Sequence, residues 1–538
     1  MKKAAPLRVT QRIFPPHTLP FFPRLSASPS HLSQAALIVV GHGSTVNPDS
    51  SAPTHQHADS LRRQGIFREV ACCFWKEEPT MTEVFESVDS EVIYIVPNFI
   101  SEGYFCQQVL PRELRLDGPV TRRDGRVILY CDPVGIHPNM TRLILQRADE
   151  VAPGVPRDQT GLVIVGHGTN LNDNSTKAIQ DQVRLIREGG HGFAEVVDAY
   201  MEEAPFVADW DKLTTAPNVV VVPFFIADGL HSFQDIPVLL GIEQETGKAL
   251  SQMDVFRHNP ISLRERQLYY SQAIGTEALM ADVILDQVHD FDARHGTASL
   301  LAQEPPSAQR PSLTLTLEQW LAAGRDQIGQ VAIRPSATGS GYTLRHIQDL
   351  EGTDLTVSEG AEAARELARC DAAGEFRPIK TAPTLRQGWE LHLPDTASLL
   401  LALEFFYPAA IGMAAAAELG TLAPVPLRHL LGRQTGMYRF ANGITDEQAC
   451  QIIADKCQTC THCMRRIVFP LQQDQPLFGP AETKLGSAAG HPHGDASEAA
   501  QRHIPLLCME ACNHIVSAAR GVARANHERK AAEAEKAA

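Results

Sequence analysis

Two histidines and one glutamate near the middle of the chain are residues of the types that commonly bind transition metals. His167 follows the apolar run "LVIV", Glu202 ends "AEVVDAYME", and His231 follows "NVVVVPFFIADGL". We predict that these runs are buried parallel strands, whose carboxyl ends lie at one edge of a sheet. Two imidazoles and a carboxylate suit a borderline divalent ion such as Co, Fe, Ni or Zn, and they also accept protons.

The glycines around His167 allow two interpretations. Gly166 and Gly168 let a flat or bulky ligand approach the backbone closely. Alternatively, the Gly-His-Gly turn only joins a strand to a helix whose N-terminus binds an anion. The presence of Glu202 and His231 at neighbouring strand ends favours the metal site.

An earlier part of the chain repeats this pattern, because "ALIVVGHGST" at 36–45 matches "GLVIVGHGTN" at 161–170. The offset stays between 125 and 127 residues for the pairs His42 and His167, Pro79 and Pro205, Pro97 and Pro223, and Pro133 and Pro260. So little drift indicates an internal duplication of an α/β unit. We name residues 35–150 half 1 and residues 160–290 half 2.

Half 1 lacks two of the three metal-binding residue types. Lys76 stands at the position of Glu202, and Phe105 stands at that of His231, so only His42 remains. Glu77 and Glu78 are alternative ligands beside Lys76. We expect an active metal site in half 2 and a degenerate one in half 1.

Cysteines concentrate near the end of the chain. Cys457, Cys460 and Cys463 have CxxCxxC spacing, and Cys508 and Cys512 follow. Such thiolates suit an iron–sulfur cluster, whereas a structural zinc site or metal-free thiols are the alternatives. The pairs Cys460/Cys463 and Cys508/Cys512 are the first choice for four ligands, with Cys457 as a substitute.

Composition limits the partners. The 538 residues include 63 acidic and 48 basic ones, a net charge of −15 that disfavours nucleic acid. The sequence has no apolar run of about 18 residues, so we expect no membrane span and a cytoplasmic protein. The oligomeric state stays open.

The remaining segments complete the predicted organisation. We predict the following: a mobile N-terminal extension at 1–34, a linker at 291–312, a mixed α+β accessory or stabilising domain at 313–444, an iron–sulfur region at 445–523 and a polar helical tail at 524–538.

Three segments together resemble CbiX-type sirohydrochlorin chelatases: the strand followed by GHG[ST], "AYMEEAP", and "VVPFFIADGLHSFQDIP". The resemblance covers about 35–275. It implies two duplicated chelatase-like parallel-sheet α/β halves facing a cleft. It also implies insertion of Co²⁺ into sirohydrochlorin without ATP, in cobalamin biosynthesis. Insertion of Fe²⁺ for sirohaem is the alternative, and Ni²⁺ is a further candidate metal.

The resemblance also assigns roles to residues. It makes His167, Glu202 and His231 the metal-binding and proton-accepting set, and His42, Gly166 and Gly168 substrate-binding positions. The family usually has one more residue between the glutamate and the following proline, so Glu203 could share the role of Glu202. Some CbiX-type proteins append a 4Fe–4S region, and "LGRQTGMYRF" looks like part of the extra domain of such fusions.

Two other kinds of protein remain possible at this level. A tetrapyrrole or metal carrier, or an iron–sulfur sensor, could use a chelatase fold without turnover. An iron–sulfur redox enzyme would need a second cofactor, but no Gly-x-Gly-x-x-Gly follows the opening strands.

Overall fold

The computed structural model describes residues 31–44, 50–168, 174–243, 254–307, 312–336, 339, 341–370, 376–378, 387–418, 425–432, 438–458, 505–506 and 511–537.

The apolar runs of half 1 form a five-stranded sheet. Its strands are β1 (Ala36–Gly41), β2 (Glu69–Phe74), β3 (Val92–Pro97), β4 (Val120–Arg123) and β5 (Arg126–Tyr130). They lie in the order β2-β1-β3-β5-β4, and only β4 is antiparallel to its neighbour. Every residue of β1 and β3 is buried, which explains their continuous apolar sequence.

Half 2 repeats this sheet. Its strands are β6 (Thr160–Gly166), β7 (Glu195–Tyr200), β8 (Asn218–Pro223), β9 (Ile261–Leu263) and β10 (Arg266–Tyr270). The order β7-β6-β8-β10-β9 is the same, again with one antiparallel edge strand. The predicted α/β duplication is therefore confirmed.

The predicted match of Pro133 with Pro260 is wrong. Gly135 packs against the Ile100 carbonyl and Gly275 against the Ile226 carbonyl, so these residues are the true counterparts. The offset is 126 for the isoleucines but 140 for the glycines, and the difference means that half 2 has 14 extra residues in between. The run "MDVFRHNPIS" at 253–262, which contains Pro260, is therefore not the counterpart of β5. Its described part has a short turn at Asp254–Phe256 and ends with the first two residues of β9.

Helices pack between and outside the two sheets. They are α1 (Ala52–Gln64), α2 (Leu110–Glu113), α3 (Met140–Val151), α4 (Asn174–Glu188), α5 (Trp210–Leu213), α6 (Ile236–Leu240) and α7 (Met280–His295). The longer ones, α1, α3, α4 and α7, share one apolar core with both sheets. Matched bonds cross between halves, from His57 Nε2 to the Gly275 carbonyl (2.7 Å) and from Gln182 to the His137 carbonyl (3.2 Å).

Two predicted flexible segments are partly ordered. Leu32 is buried, and His31 hydrogen-bonds Tyr94 and Asp292, so the expected N-terminal extension joins the core by residue 31. The predicted linker at 291–312 contains the end of α7 and a further helix, α8 (Thr297–Gln303). Packing against half 1 orders them, since Glu304 pairs with Arg122.

We name residues 313–418 the accessory domain. Its helices are α9 (Leu313–Ala322), α10 (Ala363–Leu367), α11 (Thr396–Phe406) and α12 (Ala410–Glu418). Its main sheet has the order β11-β12-β13-β17-β14, and β15 pairs with β16. These strands are β11 (Gln327–Ile328), β12 (Val331–Pro335), β13 (Tyr342–His346), β14 (Thr356–Glu359), β15 (Ala368–Cys370), β16 (Phe376–Pro378) and β17 (Trp389–Leu393).

Packing moves the boundary that the sequence suggested at residue 444. The accessory core ends at Ala414, whereas Leu427 and Tyr438 belong to the same core as Ile515. The last region therefore begins before Leu427. It contains α13 (Leu427–Leu431), α14 (Asp446–Ile453), α15 (Asn513–Ala537) and the short paired strands β18 (Val425–Pro426) and β19 (Pro505–Leu506).

Within the described part of the chain, no single helix is long and apolar enough to cross a membrane. The bent pair α11 and α12 passes that test only when the two helices are taken together.

Candidate metal centre

The fold brings the three candidate ligands to one edge of the half 2 sheet. His167 follows β6, Glu202 follows β7, and His231 lies after β8 at the start of a π-helical turn, His231–Asp235. Because β6 lies between β7 and β8, these three loops are neighbours. The sequence prediction that the three residues meet is thus matched by their placement.

His167 has a fixed orientation. Its Nδ1 hydrogen-bonds the Gly168 carbonyl at 2.8 Å, which requires a proton on Nδ1 and leaves the Nε2 lone pair available. That Nε2 lies 3.6 Å from Glu202 Oε1. The Glu202 amide also donates to the His167 carbonyl at 3.0 Å, so the backbone holds the two residues together.

His231 is oriented by a residue that the sequence reasoning missed. Its Nδ1 donates to Asp235 Oδ2 at 2.7 Å, again leaving Nε2 as the acceptor. The ring centroids of His231 and His167 are 5.0 Å apart. A carboxylate that fixes the tautomer of a ligand histidine is common at metal sites. The spacing of four residues on a helical turn was the available signal.

A buried carboxylate anchors the loop before His231. Asp228 is buried and accepts a hydrogen bond from the Ala273 amide at 2.9 Å. Burial raises the pKa of Asp228 to about 6 despite that bond. The anchor ties the loop after β8 to the loop after β10, which limits the movement of His231.

Glu202 and Glu203 have different surroundings. Glu203 accepts a 2.6 Å hydrogen bond from Thr176 and packs beneath Gly168, whereas the Glu202 side chain is 62% exposed beside His167. The geometry therefore favours Glu202 over Glu203 as the acidic ligand.

The two candidate substrate-binding glycines also have packing roles. A Cβ on Gly166 would lie 2.1 Å from Ile179 Cδ1. Gly168 has a φ of 73°, a conformation that L side chains rarely adopt. These constraints explain both glycines without a ligand, so their contact with a substrate stays a prediction.

The site is open to solvent. The side chains of His167 and His231 are 38% and 45% exposed. Among the described residues, no three His, Cys, Asp or Glu side chains converge into a ready-made metal site. Small side-chain rotations of these exposed groups would have to accompany metal capture.

The same loop in half 1 has different chemistry. The Lys76 amide donates to the His42 carbonyl at 3.0 Å, just as Glu202 does to His167. Lys76 therefore has the backbone position of the acidic residue. A π-helical turn also starts at Phe105, in the place of His231.

Neither Glu77 nor Glu78 has the position of the missing carboxylate. Glu77 packs beneath Gly43 and thus corresponds to Glu203. It is 4% exposed, and burial raises its pKa to about 7, against a hydrogen bond from Ser51. Glu78 has no counterpart among the half 2 ligands.

A cavity of about 440 Å³ lies elsewhere, between half 1 and the accessory domain. Its lining includes Arg62 from α1, Val70 from β2 and Leu401 from α11. None of the three candidate ligands faces it, so it is separate from the metal centre.

Only part of the cysteine set can be placed. Cys460, Cys463 and Cys508 lie outside the described residues. Helix α14 packs antiparallel to α15, because Gln448 near the start of α14 bonds Asn526 far along α15. The backbone at Cys457 and the half-buried Cys512 therefore lie at the same end of this helix pair. This placement fits a shared cluster.

Comparison with known proteins decides the family. Residues 36–151 and 161–291 each match the family model described as CbiX. A protein of Halobacterium salinarum named "Probable sirohydrochlorin cobaltochelatase" is 42% identical over 281 residues, which span 49% of this chain and 94% of that protein. The chain belongs to the CbiX family.

Other CbiX relatives are more distant. A "Sirohydrochlorin cobaltochelatase" of Methanopyrus kandleri is 26% identical over 140 residues, covering 24% of this chain and 94% of that protein. Each such relative therefore corresponds to about one half of the duplicated unit.

The regions after the CbiX halves also have matches. Residues 316–417 match the DR2241 stabilising domain, and residues 419–521 match a 4Fe-4S iron-sulfur cluster binding domain. The crystal structure of DR2241 from Deinococcus radiodurans has a TM-score of 0.65 and 27% identity, covering 91% of this chain and 99% of that one. It is described as a multi-domain protein with structural similarity to chelatases and two additional novel domains. The predicted chelatase fold and cluster domain are confirmed at this level.

Proposed function

We propose that this CbiX-family protein is a sirohydrochlorin cobaltochelatase, a lyase-type metal chelatase that inserts Co²⁺ without ATP on the way to cobalamin. The observation that carries the proposal is the open set of His167, Glu202 and His231 in half 2. The names of the curated relatives support the substrate and favour cobalt over iron. We expect the protein to act in the cytoplasm.

The two imidazoles would receive the metal. Both Nδ1 atoms are occupied by hydrogen bonds, so both Nε2 lone pairs are free to coordinate. Neutral imidazoles suit cobalt and ferrous iron alike. Because the side chains of His167 and His231 are partly exposed, they can bind an ion from solution and release it to the macrocycle.

Glu202 would handle protons. Inserting a divalent ion expels two pyrrole N–H protons, whose loss offsets the +2 charge of the ion, and a base must accept those protons. Glu202 Oε1 lies 3.6 Å from His167 Nε2, and solvent can then remove the proton from the exposed oxygens of Glu202. No electrons move in this reaction.

The iron–sulfur cluster would be held by four of Cys457, Cys460, Cys463, Cys508 and Cys512. When bound, such a cluster supplies one-electron transfer and cross-links the chain. Since metal insertion is redox-neutral, we place no insertion step there.

The test is anaerobic metal insertion by the full chain. Purified protein is mixed with sirohydrochlorin and Co²⁺, Fe²⁺ or Ni²⁺ in turn, and the tetrapyrrole absorption is followed over time. We expect conversion to be fastest with Co²⁺ and to be lost in His231→Ala. His191→Ala, which removes a histidine from the turn after α4, is the matched control.

Two outcomes would contradict the proposal. A spectrum that changes on binding but shows no turnover with any metal indicates a carrier or sensor. Faster insertion of Fe²⁺ than of Co²⁺ would make the protein a ferrochelatase.

A further inference from the structure

The loops of half 1 that correspond to the metal centre hold a group of aromatic rings. The ring centroids of Trp75 and Phe105 are 4.8 Å apart, and those of Phe99 and Phe105 are 5.8 Å apart. His42 lies 5.3 Å from Trp75 and 5.4 Å from Phe105. We name Trp75, Phe99 and Phe105, together with His42, the aromatic cluster.

The rest of the protein covers the aromatic cluster only partly. The rings of Trp75, Phe99 and Phe105 are all partly exposed. The indole Nε1 of Trp75 is buried and has no hydrogen-bond partner among the described residues. Tyr104, next to Phe105, is 51% exposed. Grouped, partly exposed aromatic rings are typical of a ligand-binding surface.

The metal centre and the aromatic cluster lie at the same end of the molecule. Asn174, at the start of α4, donates to the Glu102 carbonyl at 3.2 Å, in the loop just before Phe105. The start of α4 in half 2 therefore meets the loop after β3 in half 1. Leu230, beside His231, is 64% exposed and matches Tyr104 at an offset of 126. An exposed apolar side chain thus lies beside the metal centre and another beside the aromatic cluster.

One cation lies at the aromatic cluster. The Lys76 ammonium lies 5.2 Å from the centroid of the Trp75 ring. Burial lowers the pKa of His42, and the charge of Lys76 lowers it further, against a hydrogen bond with Gly43. His42 is thereby kept neutral near pH 7. The surface combines flat apolar rings with the Lys76 ammonium, which is complementary to a flat macrocycle with carboxylate side chains.

We propose that half 1 holds the tetrapyrrole, with the aromatic cluster against the macrocycle and the Lys76 ammonium paired with one of its carboxylates. This inference rests on the proposed function and extends it by naming the residues that bind the organic substrate. Lys76 and Phe105 are then substrate-binding residues. Because Lys76 replaces a glutamate and Phe105 replaces a histidine, half 1 does not compete for the metal.

The first test measures binding of metal-free sirohydrochlorin to the full chain, by anaerobic absorption titration. We expect Lys76→Met to raise Kd about tenfold, because a charge-assisted contact is lost, and Lys76→Arg to restore binding to within about threefold. Lys212→Met is the matched control, since Lys212 is exposed on half 2 and pairs with Asp209.

The second test changes the ligand. With the fully methyl-esterified tetrapyrrole, wild type and Lys76→Met should bind equally well, because no carboxylate remains to pair with the ammonium. Phe105→Leu should weaken binding of both the acid and the ester by a similar factor. It should raise KM for sirohydrochlorin more than it changes kcat.

The outcomes separate the two proposals. If wild type inserts metal but Lys76→Met leaves Kd within about twofold, this inference fails and the proposed function stands. An equal Lys76→Met effect on acid and ester would also overturn it. If wild type neither binds nor metallates sirohydrochlorin, the proposed function itself fails.

Discussion

Half 1 and half 2 have the same strand order and the same hydrogen bond across the histidine loop, but they carry different side chains at the corresponding strand ends. Half 2 presents two imidazoles and a carboxylate, whereas half 1 presents rings and an ammonium. The backbone geometry is thus retained while two substitutions, at the positions of Lys76 and Phe105, change the chemistry. A duplicated fold can divide metal handling and substrate handling between its copies in this way.

The accessory domain makes a second difference between the halves. It docks on half 1, where Arg365 of α10 pairs with Asp59 of α1. Gly412 of α12 lies so close to half 1 that a Cβ would be 2.0 Å from the Glu86 carbonyl. Helix α1 in turn contacts half 2 through His57. Half 1 therefore packs against both the accessory domain and half 2.

The largest expected effect concerns the acidic ligand. Glu202→Ala should lower kcat for metal insertion about 1000-fold, as loss of a general base commonly does. Glu203→Ala should lower kcat less than tenfold, because Glu203 bonds Thr176 beneath the loop. Steady-state rates of the two variants check this. A larger loss in Glu203→Ala would move the acidic role to Glu203.

The next effect concerns the docking of half 1. Asp59 pairs with both Arg62 and Arg365 and is nearly buried. Asp59→Ala should lower the free energy of unfolding by about 2 to 3 kcal/mol, because two partly buried cations lose their partner. Arg184 has the position of half 2 that corresponds to Asp59, and its side chain is exposed. Arg184→Ala should therefore lower the free energy of unfolding by less than about 0.5 kcal/mol. Urea unfolding of both variants measures the difference, and similar costs would refute the asymmetry.

A smaller effect is expected at the residue that orients His231. Asp235→Ala should weaken Co²⁺ binding about tenfold by freeing the tautomer of His231. Asp209→Ala, which breaks an exposed pair with Lys212, is the control. Anaerobic Co²⁺ titration measures both. Unchanged affinity in Asp235→Ala would mean that His231 needs no orienting partner.

The smallest effect depends on pH. The pKa of Glu77 is raised from 4.5 to about 7 by burial, so the folded state binds the proton more tightly than the unfolded state. Stability contributed by this group is present below pH 4.5 and is lost as the pH rises through 7. Glu77→Gln should therefore be more stable than wild type by about 1 to 2 kcal/mol at pH 8, with the advantage absent near pH 4.5.

Urea unfolding at both pH values tests this. Glu203→Gln is the control in half 2, where the lost carboxylate accepts the Thr176 hydrogen bond, and it should give no gain at pH 8. A gain in Glu77→Gln that is equal at both pH values would rule out an ionisation effect.

The duplication and the meeting of His167, Glu202 and His231 were predictable, because buried parallel strands are continuous apolar runs and their carboxyl ends share an edge. The pairing of Pro260 with Pro133 is wrong because the 14-residue insertion moves the counterpart of β5 to β10. Asp235 was overlooked since its role depends on a π-helical turn, which leaves no apolar pattern. The boundary at 444 failed because Leu427 and Tyr438 join their core through contacts distant in sequence.

The most direct test of the division between halves is anaerobic Co²⁺ insertion into sirohydrochlorin by His167→Ala and His42→Ala. These variants remove the same residue from the same loop of each half. We predict that His167→Ala loses more than about 100-fold in kcat, while His42→Ala keeps kcat within about threefold and raises KM for sirohydrochlorin. Equal losses of kcat, or a greater loss in His42→Ala, would contradict it.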